Sequence, residues 1–405
     1  MDRRWVILGV LFLARTAMGF QYQTIGSIAP SLIGELRIGF TEVGTLIGLY
    51  HISGVFLSLP GGLIIQRVGD KKLCAAGLAA MALGGSIIAL SQSYAGVFTG
   101  RLVSGMGGIL FNLVITKMTA DWFARREIVF AMAVILSTWP FGIALGLVTQ
   151  PLIAGAFGWR MVVLLSGGFC LLSLLLVASW YRPPPAEAPV AAVPNAVPAG
   201  RLGLPPMRII APVIAAGVMW GSFNAGVVGY FSFVPVLLAM RSGMTIAQSG
   251  ALTSLALWVG MLSIPFGGYV AQWLRRPGVT IVLFCGCAAT ALTLLVAGVP
   301  PLFACIAFGL AIGPPPGVIT SLPTRVLSPA ERPVGFGVFY TCHFLLQATG
   351  PAIAGWLHDS AGANAAVGFA AAMFVVPIPM LVMFALLVRH ARPVSAGRVD
   401  TVSSR

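Results

Sequence analysis

Two arginines, Arg15 and Arg101, stand inside apolar runs long enough to cross a bilayer. An arginine keeps its charge at any physiological pH, and placing one at membrane depth costs at least about 2.5 kcal/mol on the mildest scales. A buried carboxylate would neutralise it. The ten acidic residues, Asp2, Glu35, Glu42, Asp70, Asp121, Glu127, Glu187, Glu331, Asp359 and Asp400, all fall in loops, span ends or tails. Two readings stay open. Each guanidinium pairs with carbonyls, Asn112 or glutamine, or snorkels; or both face a cavity and clamp an anion through bidentate contacts. Arg101, Gly105, Gly108 and Asn112 follow one another at helical steps and share a stripe, as do Arg15, Gly19, Tyr22 and Gly26. Glycine beside a charge leaves room for a ligand, but in membrane helices it also marks close packing.

Other chemistry-bearing residues lie in the second half. Trp220 and Asn224 share one helical face, with Phe223, Tyr230 and Trp258 near in sequence or in the next span. Tyr340, His343, Gln347 and Gly350 form the most polar stripe of that half. His343 and His51 are the titratable groups able to switch near neutral pH, although a membrane histidine is commonly a hydrogen-bonded structural residue. Gly313 to Gly317, with Pro315 at its centre, breaks a span at membrane depth, which reads as a gating bend beside a cavity or packed protein.

These residues need long apolar elements to position them, and the composition supplies them. The 405 residues are 58% hydrophobic and 8% charged, which excludes a soluble globular protein. At about 20 residues per crossing, twelve spans are predicted at about 5–29, 43–65, 73–90, 94–116, 128–154, 161–180, 209–239, 246–273, 279–297, 301–322, 334–357 and 361–388. The fold class is therefore an all-α membrane protein of two pseudo-symmetric six-helix bundles. Residues 1–181 form the first bundle, 182–207 a Pro/Ala-rich linker, 208–388 the second bundle, and 389–405 a disordered tail. With the N-terminus inside, nineteen Lys and Arg fall in inner segments and Arg37, Arg160 and Arg241 in outer ones, so both termini are expected in the cytoplasm of a bacterial inner-membrane protein. The net charge of +14 is thus a topology signal, not a nucleic-acid footprint. Arg15 interrupts the first apolar run, so a cleaved signal is not expected. The six cysteines all sit in apolar segments and read as small membrane side chains.

A shift of 206 positions carries Gly61, Gly62 and Gln66 onto Gly267, Gly268 and Gln272, and Arg126 and Phe130 onto Arg332 and Phe336. A duplicated six-helix unit explains this, with a site near the midplane between the copies. At these residues the chain resembles the major facilitator superfamily. The loop at Gly62, Ile64, Ile65, Gln66, Arg67, Gly69, Asp70 and Lys71 is similar to the family's G-x-L-A-D-R-x-G-R-K signature. It departs by carrying glutamine at Gln66 and an acid at Asp70, so the gate latch that the resemblance implies there lacks its usual charge pairing. Gly100 to Gly108 is similar to the R-x-x-x-G-x-G motif. Trp139, Pro140, Phe141, Gly142 and Gly146 resemble part of a G-P-x-x-G hinge, and Gly158-Trp159-Arg160 and the GPAIAGWLHD stretch are also similar to such transporters. The glutamines and IGSIAP of the first span resemble the branch of cyanate-type and oxalate-type anion porters.

The expectation is a secondary carrier of a small organic or inorganic anion, working by rocking of the two bundles. The resemblance places the first and fourth spans at the central cavity. Substrate binding is expected at Arg15, Tyr22, Arg101, Asn112, Trp220, Asn224, Tyr340, His343 and Gln347. Coupling or gating is expected at His51, Gln66, Arg67, Asp70, Gly142, Gly146 and Pro315. With no buried carboxylate for a proton relay, exchange for a counter-transported anion is favoured over proton coupling; an efflux pump for hydrophobic drugs is the alternative. A monomer in the lipid bilayer is expected, with no cofactor, no metal, no nucleic-acid partner and no enzymatic activity.

Overall fold

A computed structural model describes residues 3–58, 60–123, 127–183, 205–273, 276–328 and 331–391. Most of the expected linker, the end of the tail, and Arg125 and Arg126 lie outside the described residues, as does the Gln66 side chain. The described chain is helical: α1 Arg3–Ser27, α2 Ala29–Leu36, α3 Phe40–Leu57, α4 Gly61–Val68, α5 Asp70–Leu90, α6 Tyr94–Phe123, α7 Ile128–Phe157, α8 Trp159–Trp180, α9 Met207–Ser242, α10 Ile246–Trp273, α11 Pro277–Ala297, α12 Pro301–Ile312, α13 Pro315–Ser321, α14 Arg332–Ala361, α15 Ala363–Val375 and α16 Pro377–Ala391. Eleven stretches are long and apolar enough to cross a membrane. The 30-residue α14, which carries the polar stripe, supplies the twelfth.

Three expected spans are divided. The run expected at 43–65 breaks between α3 and α4, where Pro60 withholds an amide and Gly61 and Gly62 follow. The expected break at Pro315 separates α12 from α13. It is packed in place: a Cβ on Gly267 would lie 3.0 Å from the Pro314 nitrogen. The last span parts at Val376, just before Pro377. Elsewhere proline is absorbed, with Pro140 and Pro151 inside α7 and Pro351 inside α14. Hairpins turn where glycine alone is comfortable: Gly158, at φ 81°, sends α7 into α8.

Two bundles result, one from α1 to α8 and one from α9 to α16. Among the described residues they meet chiefly through α3 on α14, α7 on α10, and α1 on α9. The α3–α14 seam is very close. Cβ atoms on Gly44 and Gly48 would overlap the carbonyls of Pro351 and Ala348, and one on Gly355 would overlap that of Phe40. One apolar cluster runs through both bundles, joining Tyr22, Leu46 and Leu147 to Phe231, Phe233 and Ala354. A second cluster, with Leu11, Phe111 and Tyr181, belongs to the first bundle alone and lies toward the end carrying Asp70.

Candidate functional site: an arginine and a chain of rings between the bundles

The two arginines, alike in sequence, are held differently. Arg101 on α6 is 1% exposed. Its Nε donates to the Leu46 carbonyl at 3.0 Å, Nη1 to Gln21 at 3.3 Å and Nη2 to Tyr22 at 2.8 Å. The guanidinium carbon lies 4.7 Å from the Tyr50 ring centre and 5.3 Å from that of Tyr22, within cation–π range. Gly105 and Gly108 make this possible, because a Cβ on the first would sit 2.5 Å from the Tyr50 carbonyl oxygen and one on the second would overlap the Tyr50 hydroxyl. Those glycines therefore admit α3 and not a ligand. Arg101 ties α6 to α1 and α3, and the carbonyl pairing is the reading its geometry realises. Asn112, half-buried further along α6, is not among its hydrogen-bond partners.

Arg15 on α1 is less satisfied. It is 8% exposed; Nη1 donates to the Ile135 carbonyl at 3.2 Å, while Nε is buried without a hydrogen-bond partner in the protein. It lies within electrostatic reach of Tyr340 on α14, across the seam between bundles. Gly19, one turn on, is a packing contact like its counterpart on α7: a Cβ there would sit 2.5 Å from the Trp139 carbonyl, and one on Gly142 would lie 2.8 Å from the Phe20 nitrogen. Gly146 is held 3.1 Å from Gln23 and Gln150 in the same terms. α7 is unbroken through both residues, so the expected hinge glycines sit in a tight α1–α7 contact.

Two turns along α1 from Arg15, the seam is walled by rings. The Tyr22 ring centre is 5.0 Å from those of His51 and Trp139 and 6.1 Å from Phe231. His51 stacks on Phe344 at 6.0 Å; Phe344 is 4.9 Å from His343, which stacks on Trp220 at 5.6 Å. A chain of rings thus crosses from one bundle to the other, and it joins the two histidines through Phe344. Tyr340, 39% exposed, lies 6.1 Å from His343 and 6.3 Å from Phe344. A second bridge runs from Phe12 to Phe141 at 5.6 Å and on to Trp258 at 5.5 Å. Gln347 is buried one turn beyond His343. Asn224 folds back, its Nδ2 donating to the Trp220 carbonyl at 2.8 Å. Along this seam Arg15 Nε, Tyr22 Oη, His51 Nδ1 and His343 Nδ1 are buried without hydrogen-bond partners in the protein, whereas the equally unpartnered Tyr50 Oη lies against Gly108 inside the first bundle. A buried polar atom without a partner costs about 1–3 kcal/mol, and four along one seam could be satisfied by a polar partner.

Tyr50, Trp139, Phe231 and Phe344 are the members that the candidate residues of the sequence did not include. Tyr50 and Phe344 each adjoin a candidate histidine, a weak signal; Trp139 was visible only within the hinge motif, and nothing marked Phe231.

The two ends of the seam differ. At one end Asp359 of α14 caps α3 of the other bundle: its carboxylate accepts from Phe40 N at 2.9 Å, Thr41 N at 2.8 Å and the Thr41 hydroxyl at 2.6 Å. Against partial desolvation, which pushes the carboxyl up, the Thr41 and Phe40 hydrogen bonds hold it below the usual carboxylate range. The His358 ring packs 3.6 Å from that of Phe40. Nearby, Glu35 pairs with Arg160 at 2.6 Å and accepts from Trp159 Nε1 at 2.6 Å, and these bonds hold its carboxyl low. At the other end Asp70 pairs with Lys117 at 2.5 Å within its own bundle, and Arg67 is exposed.

Two pseudo-symmetric bundles of six spans meeting over such a seam define a multi-pass membrane transporter. The family model for the major facilitator superfamily matches residues 11–348, and the chain belongs to that family of transporters, which are not enzymes. It is 22% identical over 282 residues to the hexuronate transporter of Bacillus subtilis (strain 168), covering 68% of this chain and 66% of that protein. It is 25% identical over 182 residues to the gallate transporter of Pseudomonas putida, covering 44% of this chain and 40% of that protein. The alignments thus span less than two thirds of these relatives. The crystal structure of the nucleoside transporter NupG superposes with a TM-score of 0.75 at 15% identity, over 95% of this chain and 99% of that one.

Proposed function

We propose that this transporter carries small organic carboxylates across a bacterial inner membrane by alternating access, with Arg15 as the group that receives the carboxylate. The observation that carries the reading is the Nε of Arg15, buried without a protein partner between the two ends of the seam, where no carboxylate lies among the described residues; Asp359 caps the seam only at one end. Arg101 is assigned to structure, because carbonyls already take Nε, Nη1 and Nη2. The hexuronate and gallate transporters it resembles are named for carboxylic acids. Tyr22, His51, Trp220, Tyr340, His343 and Gln347 line the path, and Asn112 and Asn224 flank it. This reading takes residues 182–207 as a cytoplasmic linker between the bundles and places both termini inside.

In this reading the Asp359 end faces outward and is closed by the Asp359 cap and the α3–α14 seam. The inner latch is weak: Gln66 carries no charge and Asp70 is engaged by Lys117. Exchange for a second anion is favoured, since among the described residues the seam's acid, Asp359, is held in the cap at one end and none lies beside Arg15 to relay a proton; the two histidines would carry the proton-coupled alternative. The aromatic walls favour, as a second reading, an exporter of hydrophobic compounds.

Substrate charge separates the two. A thermal-shift screen should find stabilisation by glucuronate or gallate and none by their uncharged counterparts, glucose and pyrogallol. Equal stabilisation by charged and uncharged members would favour the exporter.

A further inference from the structure

At the Asp70 end, away from the seam, a groove of about 360 Å³ opens between α1 and α8, lined by Arg3, Val6, Ile7, Ser179, Trp180 and Arg182. α1 begins at Arg3 and α8 ends at Trp180, so the groove lies where two packed spans leave the apolar layer. Its rim is cationic. Arg3 and Arg182 are exposed, and among the described residues neither is paired with a carboxylate. Lys71 adds a third charge, its Nζ donating to the Ala178 carbonyl at 2.7 Å, one turn from Arg182. Trp122 Nε1 donates to the Arg182 carbonyl at 3.2 Å, which pins that backbone and leaves the side chain outside.

The floor is apolar, with Val6 and Ile7 on α1. Below it α8 turns Leu171, Leu172 and Leu175 outward, exposed by 48%, 52% and 57%, and Trp180 by 55%. Steps of three and four put these leucines on one face. An indole at the edge of the apolar layer matches the interfacial belt of membrane proteins. Basic residues at that level attract anionic headgroups.

We propose that this groove is a binding site for an anionic phospholipid, its phosphate between Arg3 and Arg182 and its acyl chains along Leu175, Leu172 and Leu171. Free phosphate would use the cationic rim but neither the leucine lane nor the exposed indole. With the orientation proposed above, the lipid belongs to the inner leaflet.

Native mass spectrometry of the full chain, offered phosphatidylglycerol, phosphatidylcholine or inorganic phosphate, tests this. The wild type should retain phosphatidylglycerol over phosphatidylcholine, and the double variant R3Q/R182Q should lose that retention by about tenfold or more. K72Q, which removes a charge from the same face outside the groove, should keep it. V6W, which fills the floor and leaves both arginines, should lose it, and so covers the case in which the double variant does not fold. Equal retention of the two lipids, unchanged retention in both groove variants, an equal loss in K72Q, or displacement of the lipid by inorganic phosphate would each overturn the assignment.

Discussion

Arg101 and Arg15 carry the same charge, and what separates them is the set of acceptors that folding brings to each. Around Arg101 three backbone carbonyls and two phenol rings stand in for the missing carboxylate. Removing the guanidinium would leave those carbonyls facing a cavity, so Arg101→Gln should destabilise the protein by about 2–4 kcal/mol, read as a large fall in the unfolding midpoint in detergent. Arg15→Gln removes one hydrogen bond, to the Ile135 carbonyl, and an unpartnered donor, so its midpoint should stay within a few degrees of wild type. A comparable loss in both variants would make Arg15 structural too. The histidines belong to the same scale. If exchange is the mechanism, His343→Gln should leave the pH profile of uptake unchanged across about pH 5 to 8; a displaced profile would move the mechanism to proton coupling.

At the scale of the helix, the Asp359 cap makes a sign-definite prediction. Its folded-state pKa is depressed, so the stabilisation it brings is present above the ordinary carboxylate value near about 4 and is lost as pH falls through the depressed value. Closure of that end should therefore persist throughout the neutral and mildly acid range, whereas Asp359→Asn should weaken it at every pH by about 1 kcal/mol, as for other lost helix caps. In a background with Cys287 and Cys342 replaced by serine, labelling of Gln347→Cys by an impermeant thiol reagent should rise several-fold in the Asn variant; unchanged labelling would show that the glycine seam alone closes the end. Spans were legible in sequence because about 20 apolar residues have one stable answer in lipid. Of their interruptions only the one at Pro315 was, where three prolines in a row fall between two glycines. Pro60 and Pro377 separate helices, while Pro140, Pro151 and Pro351 lie within unbroken ones. In a membrane the outcome depends on whether neighbours re-satisfy the freed carbonyls, which the local sequence does not record. The site was half legible for a similar reason. The shortage of acid around both arginines is written in the chain, but the carbonyls that answer Arg101 are supplied by α1 and α3, and the meeting of Phe344 with His51 is made by two helices far apart in sequence.

For the whole molecule, glycines let α3 and α14 nearly touch, and in the proposed cycle closure of one end rests on that contact. Gly48→Leu should hold the bundles apart there, because its side chain would occupy the Ala348 backbone, and transport should fall to background while the separate bundles remain folded. Normal turnover in that variant would mean that the seam does not form in the working cycle. The central claim, that the uncompensated charge in the seam exists to meet a carboxylate, rests on Arg15. The direct measurement is uptake of radiolabelled glucuronate and gallate into proteoliposomes loaded with the same unlabelled anion. Wild type should take up at least one of them, Arg15→Gln should reduce that uptake to background, and Arg15→Lys should retain a fraction of it with weakened affinity. Wild-type uptake by the Arg15→Gln protein would contradict the account.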